Sequence, residues 1–139
     1  MDISYVITPF LAWLLTGCTK FCINSIKAKR LAFDLIGYGG LPSTHSAIVS
    51  SMAALIAFKD GIHHPTFGIA ITLAFIVMLD ANSLRNQVGR CAQAINHLNA
   101  ERGKTDKPLR ERMGHSRLEI AAGVIVGILT AWLVFQFSA

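Results

Sequence analysis

Charge is scarce in this chain. Asp, Glu, Lys and Arg make up 15% of its 139 residues, 53% are hydrophobic, and the mean hydropathy is +0.48. Soluble domains carry about 25% charged residues, so this composition argues against one. Proline and glycine are also few, four and eleven. With apolar residues this abundant, that excludes collagen-like, repeat and disordered chains and leaves a single domain, residues 1–139, of mostly helical structure. The three cysteines, Cys18, Cys22 and Cys91, form neither a CxxC pair nor an even framework and read as small apolar fillers. Acidic residues number 8 against 13 Lys and Arg, a net charge of +5. In a membrane protein such an excess serves topology, anionic headgroups or a phosphorylated ligand. The basic residues are not interleaved with aromatics on any polar face, so no nucleic acid partner is expected.

What the chain does have is four apolar stretches: Ile3 to about Cys18, Ser46 to Phe58, Pro65 to Leu79, and Leu118 to Phe137. Only the last has the roughly 20 residues that cross a ~30 Å hydrocarbon core unaided. Lys59, Asp60, His63 and His64 form a compact polar turn between the middle two, which therefore read as a helical hairpin. Leu15, Thr16, Gly17 and Cys18 match a lipoprotein cleavage box, but Met1 to Tyr5 offers only Asp2 and no cation, unlike a signal peptide. Continued as a helix, the first stretch would put Lys20, Asn24 and Lys27 on one polar stripe at the membrane edge.

The cations are unevenly spread. None precedes Lys20; Lys20, Lys27, Lys29 and Arg30 come before the second stretch, and Lys59 stands alone between the second and third. The other eight, Arg85, Arg90, Arg102, Lys104, Lys107, Arg110, Arg112 and Arg117, lie between Asp80 and Leu118. With four crossings, parity puts both basic regions on one side. The positive-inside rule makes that side cytoplasmic, in a bacterial inner membrane, with both termini outside. Within the long basic region, Leu84, Val88, Cys91, Ile95 and Leu98 recur at helical spacing and predict an interfacial or bundle-capping amphipathic helix over residues 82 to about 100. Glu101 to Arg112, polar and holding Gly103 and Pro108, reads as a mobile connection.

The same parity gathers chemistry at one membrane face: Lys20; the run Gly39-Gly40-Leu41-Pro42-Ser43-Thr44-His45-Ser46; Asp80 with Arg85; and Gly114-His115-Ser116-Arg117-Leu118-Glu119. Helix N-termini present unpaired N–H groups and a positive dipole end, which suits a phosphate. Lys20 and Arg85 would complete an anion site. Each piece also has a plainer reading. Ser43 or Thr44 would serve as an N-cap, and Ser116 with Glu119 fits a capping box. Lys20 could simply snorkel and Arg85 anchor in headgroups. His115 and Glu119, four apart, would alternatively face each other on one helix side so that the carboxylate orients the ring. His45 at the mouth of an apolar helix must be solvated or partnered and suits proton transfer. His63, His64 and His97 are assigned to loop and surface. His45, His115, Asp80 and Glu119 show no metal-binding spacing, and the cations beside them oppose a dication, so no metal is expected.

These residues together resemble the divergent type 2 phosphatidic acid phosphatase family, small membrane proteins related to vanadium-dependent haloperoxidases. The resemblance covers nearly the whole chain. It rests on Lys20, Gly39 to Ser46, Asp80-Ala81 with Arg85 and Gly89, Ile95-Asn96, and Gly114-His115 with Glu119. It implies an all-α membrane bundle of about four transmembrane helices plus one interfacial helix, acting on a lipid phosphate or pyrophosphate without metal or cofactor. By that analogy His115 looks like the nucleophile that forms a phosphohistidine, Glu119 orients it, and His45 protonates the leaving oxygen. Lys20, Ser43, Thr44 and Arg85 would hold the phosphoryl oxygens, with Asp80, Lys27 and Gly40 in support. The chain departs from the wider superfamily's pattern at several points. Lys27 and Ala28 stand where Arg-Pro is usual, Thr44 replaces a glycine, Glu119 replaces an aspartate, and Arg85 and His115 are 30 residues apart instead of on one short motif.

The expected activity is therefore hydrolysis of a lipid phosphate of the polyprenyl pyrophosphate, phosphatidate or phosphatidylglycerol phosphate type. The same site would also serve a lipid phosphotransferase, or a non-catalytic protein that binds lipid headgroups. Substrate and membrane lipids are the expected partners, together with a second copy of the chain in a homodimer burying the short second and third helices.

Overall fold

The structure, a computed structural model, describes residues 2–29, 31, 40–104 and 107–138. Arg30 and Gly39 lie outside the described residues. Within them the chain is all-helical, with no strand: α1 (Ser4–Ala28), α2 (Thr44–Lys59), α3 (Pro65–Asn82), α4 (Leu84–Glu101) and α5 (Arg117–Ser138). Three stretches are long and apolar enough to cross a membrane: α1, the α3–α4 stretch 65–101, and α5. Their outer surfaces carry exposed Phe10, Trp13, Ile69, Phe75, Trp132 and Leu133, as a lipid-facing surface requires.

The shortest apolar helix is the central one. At 16 residues α2 spans about 24 Å, and α1, α3 and α5 all pack on it. Its Ser46, Ala47, Ser50, Ser51, Ala53, Leu55 and Ile56 are buried. The monomer thus already encloses α2, one of the two helices expected at a dimer interface, and only α3 of that pair keeps a broad free face.

Small residues set the packing. On α5, a Cβ at Gly123 would run into the Ser43 carbonyl, and one at Gly127 into Ser50 Oγ and the Ala47 carbonyl, so α2 and α5 approach backbone to backbone. Ascending numbers on α5 meet ascending numbers on α2, which makes the pair parallel. In α1, Ser4, Thr8, Ala12 and Thr16 form a buried stripe at four-residue spacing. The hydroxyls of Thr8 and Thr16 donate to the carbonyls of Ser4 and Ala12 at 2.7 and 2.6 Å, so these polar groups are satisfied within the helix. The same spacing continues through Lys20 and Asn24. That is why α1 runs ten residues past Cys18: one polar stripe on an otherwise apolar helix does not interrupt it.

At the end of the bundle away from the basic loops, polar contacts tie α1 to the α2–α3 turn. Lys59 Nζ donates to Asp2 Oδ2 at 2.6 Å and lies over the Tyr5 ring, and Tyr5 Oη donates to Asp60 Oδ2 at 2.8 Å. The Lys59 contact and the Ser4 amide hold the Asp2 carboxyl down to a pKa of about 2. Below them Tyr5, Met52 and Phe67 pack on Ala53, Ile56 and Ala70. His64 caps α3, its Nδ1 accepting from the Thr66 amide at 3.4 Å.

Candidate functional site

Four chain segments meet at the opposite end: the last turns of α1, the start of α2, the α3–α4 junction and the start of α5. Ser43 caps α2, its Oγ accepting from the Ser46 amide at 3.4 Å and the Ser46 hydroxyl at 2.9 Å. Its own N–H donates to the Glu119 carbonyl at 2.9 Å, which ties the two helix starts together. Ser43 is fully buried, so the structure assigns its side chain to the cap. Thr44, the next residue, accepts from Lys20 Nζ at 3.4 Å.

His45 stands exposed one residue further on, opposite the α5-facing side of α2. Lys20, Asp80, Arg85 and His115 all lie within electrostatic range of it. Arg85 is oriented by Asp80, with Nε to Oδ2 at 2.8 Å across the α3–α4 junction. Lys27, two turns beyond Lys20 and exposed, stays outside this group. Gly40 precedes it with φ +140°.

His115 arrives by a route that spacing alone does not show. Residues 107–116 run back across α4, and the His115 N–H donates to the Ala81 carbonyl at 3.0 Å, where α3 gives way to α4. Gly114 takes φ +89°, and a Cβ there would strike the Asn86 side chain and crowd the Ala81 carbonyl, so only glycine fits the approach. The Glu101 to Arg112 stretch is accordingly not a free connection over its described second half. Asn96 Oδ1 accepts from the Leu109 amide at 2.8 Å, and Asn96 Nδ2 donates to the Leu109 carbonyl and to Glu111 Oε1, both at 2.8 Å.

The two readings of Glu119 turn out to be compatible. Its Oε2 accepts from the Ser116 amide at 2.8 Å, and Ser116 Oγ accepts from the Glu119 amide at 3.3 Å, a complete capping box. The same oxygen lies 3.4 Å from His115 Nδ1, a nitrogen that is buried and makes no hydrogen bond. A contact of this length is in ion-pair range and is the kind that tightens when substrate arrives. Burial pushes the His115 imidazole below the usual histidine pKa. The Glu119 carboxylate pulls it back up, and Lys20 and Arg85 act with the burial. With Nδ1 turned to Glu119, Nε2 is the nitrogen left for chemistry. Among the described residues, no group of three or more His, Cys, Asp or Glu side chains is placed to hold a metal ion.

One end of this helical bundle thus holds a buried histidine backed by a carboxylate, with a second histidine, a lysine and an arginine in electrostatic range. The sequence belongs to the Divergent PAP2 family, whose pattern it matches over residues 1–130. It is similar to the uncharacterized membrane protein YuiD of Bacillus subtilis, 29% identical over 134 residues and covering 85% of each chain. No solved structure matches it. The family and the three apolar spans together make this an integral membrane protein.

Sequence reasoning missed Gly123 and Gly127, although their Gly-x-x-x-Gly spacing was a readable signal for close helix contact. It also missed Asn86, and the Ala81 carbonyl, a backbone group with no sequence signature.

Proposed function

We propose that this protein is a metal-independent phosphatase of a lipid phosphate or pyrophosphate that works through a phosphohistidine. The observation that carries the reading is His115, buried with Nδ1 against Glu119, while Lys20, Arg85 and His45 lie within electrostatic range of it. His115 Nε2 attacks phosphorus, and the bond from phosphorus to the leaving oxygen breaks as His45 gives that oxygen a proton. Neutral His45 then takes a proton from water, which attacks the phosphohistidine and releases phosphate and His115. Lys20, the Thr44 hydroxyl and Arg85 hold the phosphoryl oxygens, and the α2 N-terminus adds its dipole. Charge stabilisation and positioning dominate such a transfer. The lipid-facing surround suits a substrate whose tail stays in the bilayer, and the cation distribution favours the inner leaflet of the cytoplasmic membrane.

The test is purified protein in mild detergent with polyprenyl pyrophosphate, phosphatidate and phosphatidylglycerol phosphate, with and without EDTA and vanadate. The expected result is phosphate release that resists EDTA, is inhibited by vanadate and is lost in His115→Ala. Turnover surviving that substitution would remove the nucleophile, and a strict metal requirement would remove the mechanism. Phosphate passed to an added alcohol instead of water would make the protein a transferase. Binding without turnover would make it a headgroup-binding protein.

A further inference from the structure

The structure assigns to Asn96, about three helical turns from Arg85 along α4, the role of positioning residue for His115. The inference rests on the phosphatase reading only for its kinetic arm. Arg85 reaches the site from the first turn of α4, but His115 lies 30 residues later in sequence, so something must bring the chain back. The return segment is fixed at three points. Farthest out, the Asn96 carboxamide uses both of its ends on one residue, accepting from the Leu109 amide and donating to the Leu109 carbonyl, and it also donates to Glu111 Oε1, all at 2.8 Å. This replaces the ladder partner that an extended segment otherwise lacks. In the middle, the Glu111 carbonyl crosses α4 at Gly89 so closely that a Cβ there would overlap it. Nearest the site, Gly114 seats against Asn86 and His115 bonds the Ala81 carbonyl.

Asn86, Gly89 and Asn96 fall at i, i+3 and i+10 and so share one side of α4. The exposed Leu84, Val88, Ile95 and Leu98 lie on another side. One face of α4 is thus given over to the strap that ends in His115. Glu119 adds to the same arrangement, since its contact with His115 and with the Ser116 amide requires the strap to end where it does. Releasing the strap at Asn96 leaves the bundle contacts of α1, α2, α3 and α5 untouched, because α4 packs on α3 alone among the helices.

The experiment compares full-length Asn96→Ala and Gly89→Ala, which disturb the strap at two separate points, with His97→Ala on the solvent side of α4. The first readout is the rate at which diethyl pyrocarbonate modifies His115, followed by mass spectrometry, which needs no turnover. His115 is 8% exposed and should react slowly in the native chain. Asn96→Ala removes three hydrogen bonds, each worth a roughly fivefold shift in an opening equilibrium, and Gly89→Ala drives the Glu111 carbonyl off α4, so a reaction at least about tenfold faster is expected in both strap variants. His97→Ala should leave the rate unchanged.

The second readout is kinetics on the lipid phosphate that the native protein turns over best. A displaced nucleophile predicts a fall in kcat of order 10²-fold with KM changed less than about threefold. Should Asn96→Ala not fold, Glu111→Ala removes one of the three bonds and predicts a smaller change in the same direction. Unchanged His115 reactivity in the strap variants overturns the inference, as does a loss that appears in KM alone. Faster His115 modification in a protein that hydrolyses none of the lipids supports the positioning role and rejects the phosphatase reading, so the two failures are distinguishable.

Discussion

Glu119→Gln separates the two tasks that one carboxylate oxygen performs. Oε2 caps the start of α5 through the Ser116 amide at 2.8 Å and faces His115 Nδ1 at 3.4 Å. Glutamine serves a capping box as well as glutamate, so the cost to folding should stay within about 1 kcal/mol, and the melting midpoint should barely move. The charge is what disappears. When neutral His115 attacks phosphorus its ring becomes positive, and a hydrogen bond to a carboxylate is worth about 1.5 kcal/mol more than one to an amide oxygen. That converts to a roughly tenfold lower kcat. The pH dependence gives an independent sign. Burial depresses the His115 pKa while Glu119 pulls it up, so removing the carboxylate's charge lowers it further. The acid limb of the rate, which reports loss of the neutral nucleophile, should therefore shift to lower pH than in the native protein, whose own limb burial already sets below the usual histidine range. Initial rates from pH 4.5 to 8, with thermal unfolding followed by tryptophan fluorescence, measure all three quantities. Full native rate with an unmoved acid limb would refute the reasoning and leave Glu119 as a helix cap alone.

Gly127→Val should destabilise the bundle by about 1–3 kcal/mol, because its side chain would enter the space held by Ser50 Oγ and the Ala47 carbonyl; a native melting midpoint would contradict the close α2–α5 approach. Asp80→Asn should let Arg85 wander. The pair is about one-third exposed, so solvent limits its worth to about 1 kcal/mol, a KM increase up to roughly fivefold with kcat kept. An unchanged KM would take Arg85 out of the phosphate site. Tyr5→Phe removes the bond to Asp60 at the far end and should cost about 1 kcal/mol of stability without altering turnover, and a lost activity would show that the two ends communicate.

Much of the fold was legible because the helices announce themselves by apolar runs with sharp polar ends. The second stretch, expected over Ser46 to Phe58, is helical over Thr44–Lys59, and the last, expected over Leu118 to Phe137, is helical over Arg117–Ser138. The first was underestimated as an apolar run because Lys20, Asn24 and Lys27 end the hydrophobic pattern without ending the helix. That α2 is central could have been read from Ser46, Ala47, Ser50 and Ser51, whose small size suits contact on several sides better than exposure to lipid. The strap was not legible. Its anchors are main-chain groups of Leu109, Glu111 and Ala81, which any residue supplies, and a polar sequence with a proline looks the same whether it is free or clasped.

The parallel α2–α5 pair explains why small residues far from the chemistry bear on it. Each helix N-terminus carries about half a positive charge, concentrated in its first turn. α2 and α5 both start at the site, and both would be diluted by a few ångströms of separation. Gly123 and Gly127 let the helix backbones approach, and the Ser43 amide bonded to the Glu119 carbonyl sets the two first turns in register. The result places the capped start of α2, with Thr44 and His45, beside the start of α5, with His115 and Glu119, although 70 residues separate His45 from His115. α1 and α3 run the other way and bring their last turns to the same end, which delivers Lys20 and the Asp80–Arg85 pair. Four helices, two running each way, thus bring these residues to one end of the bundle, and the glycine contact fixes how tightly the two helix N-termini converge there.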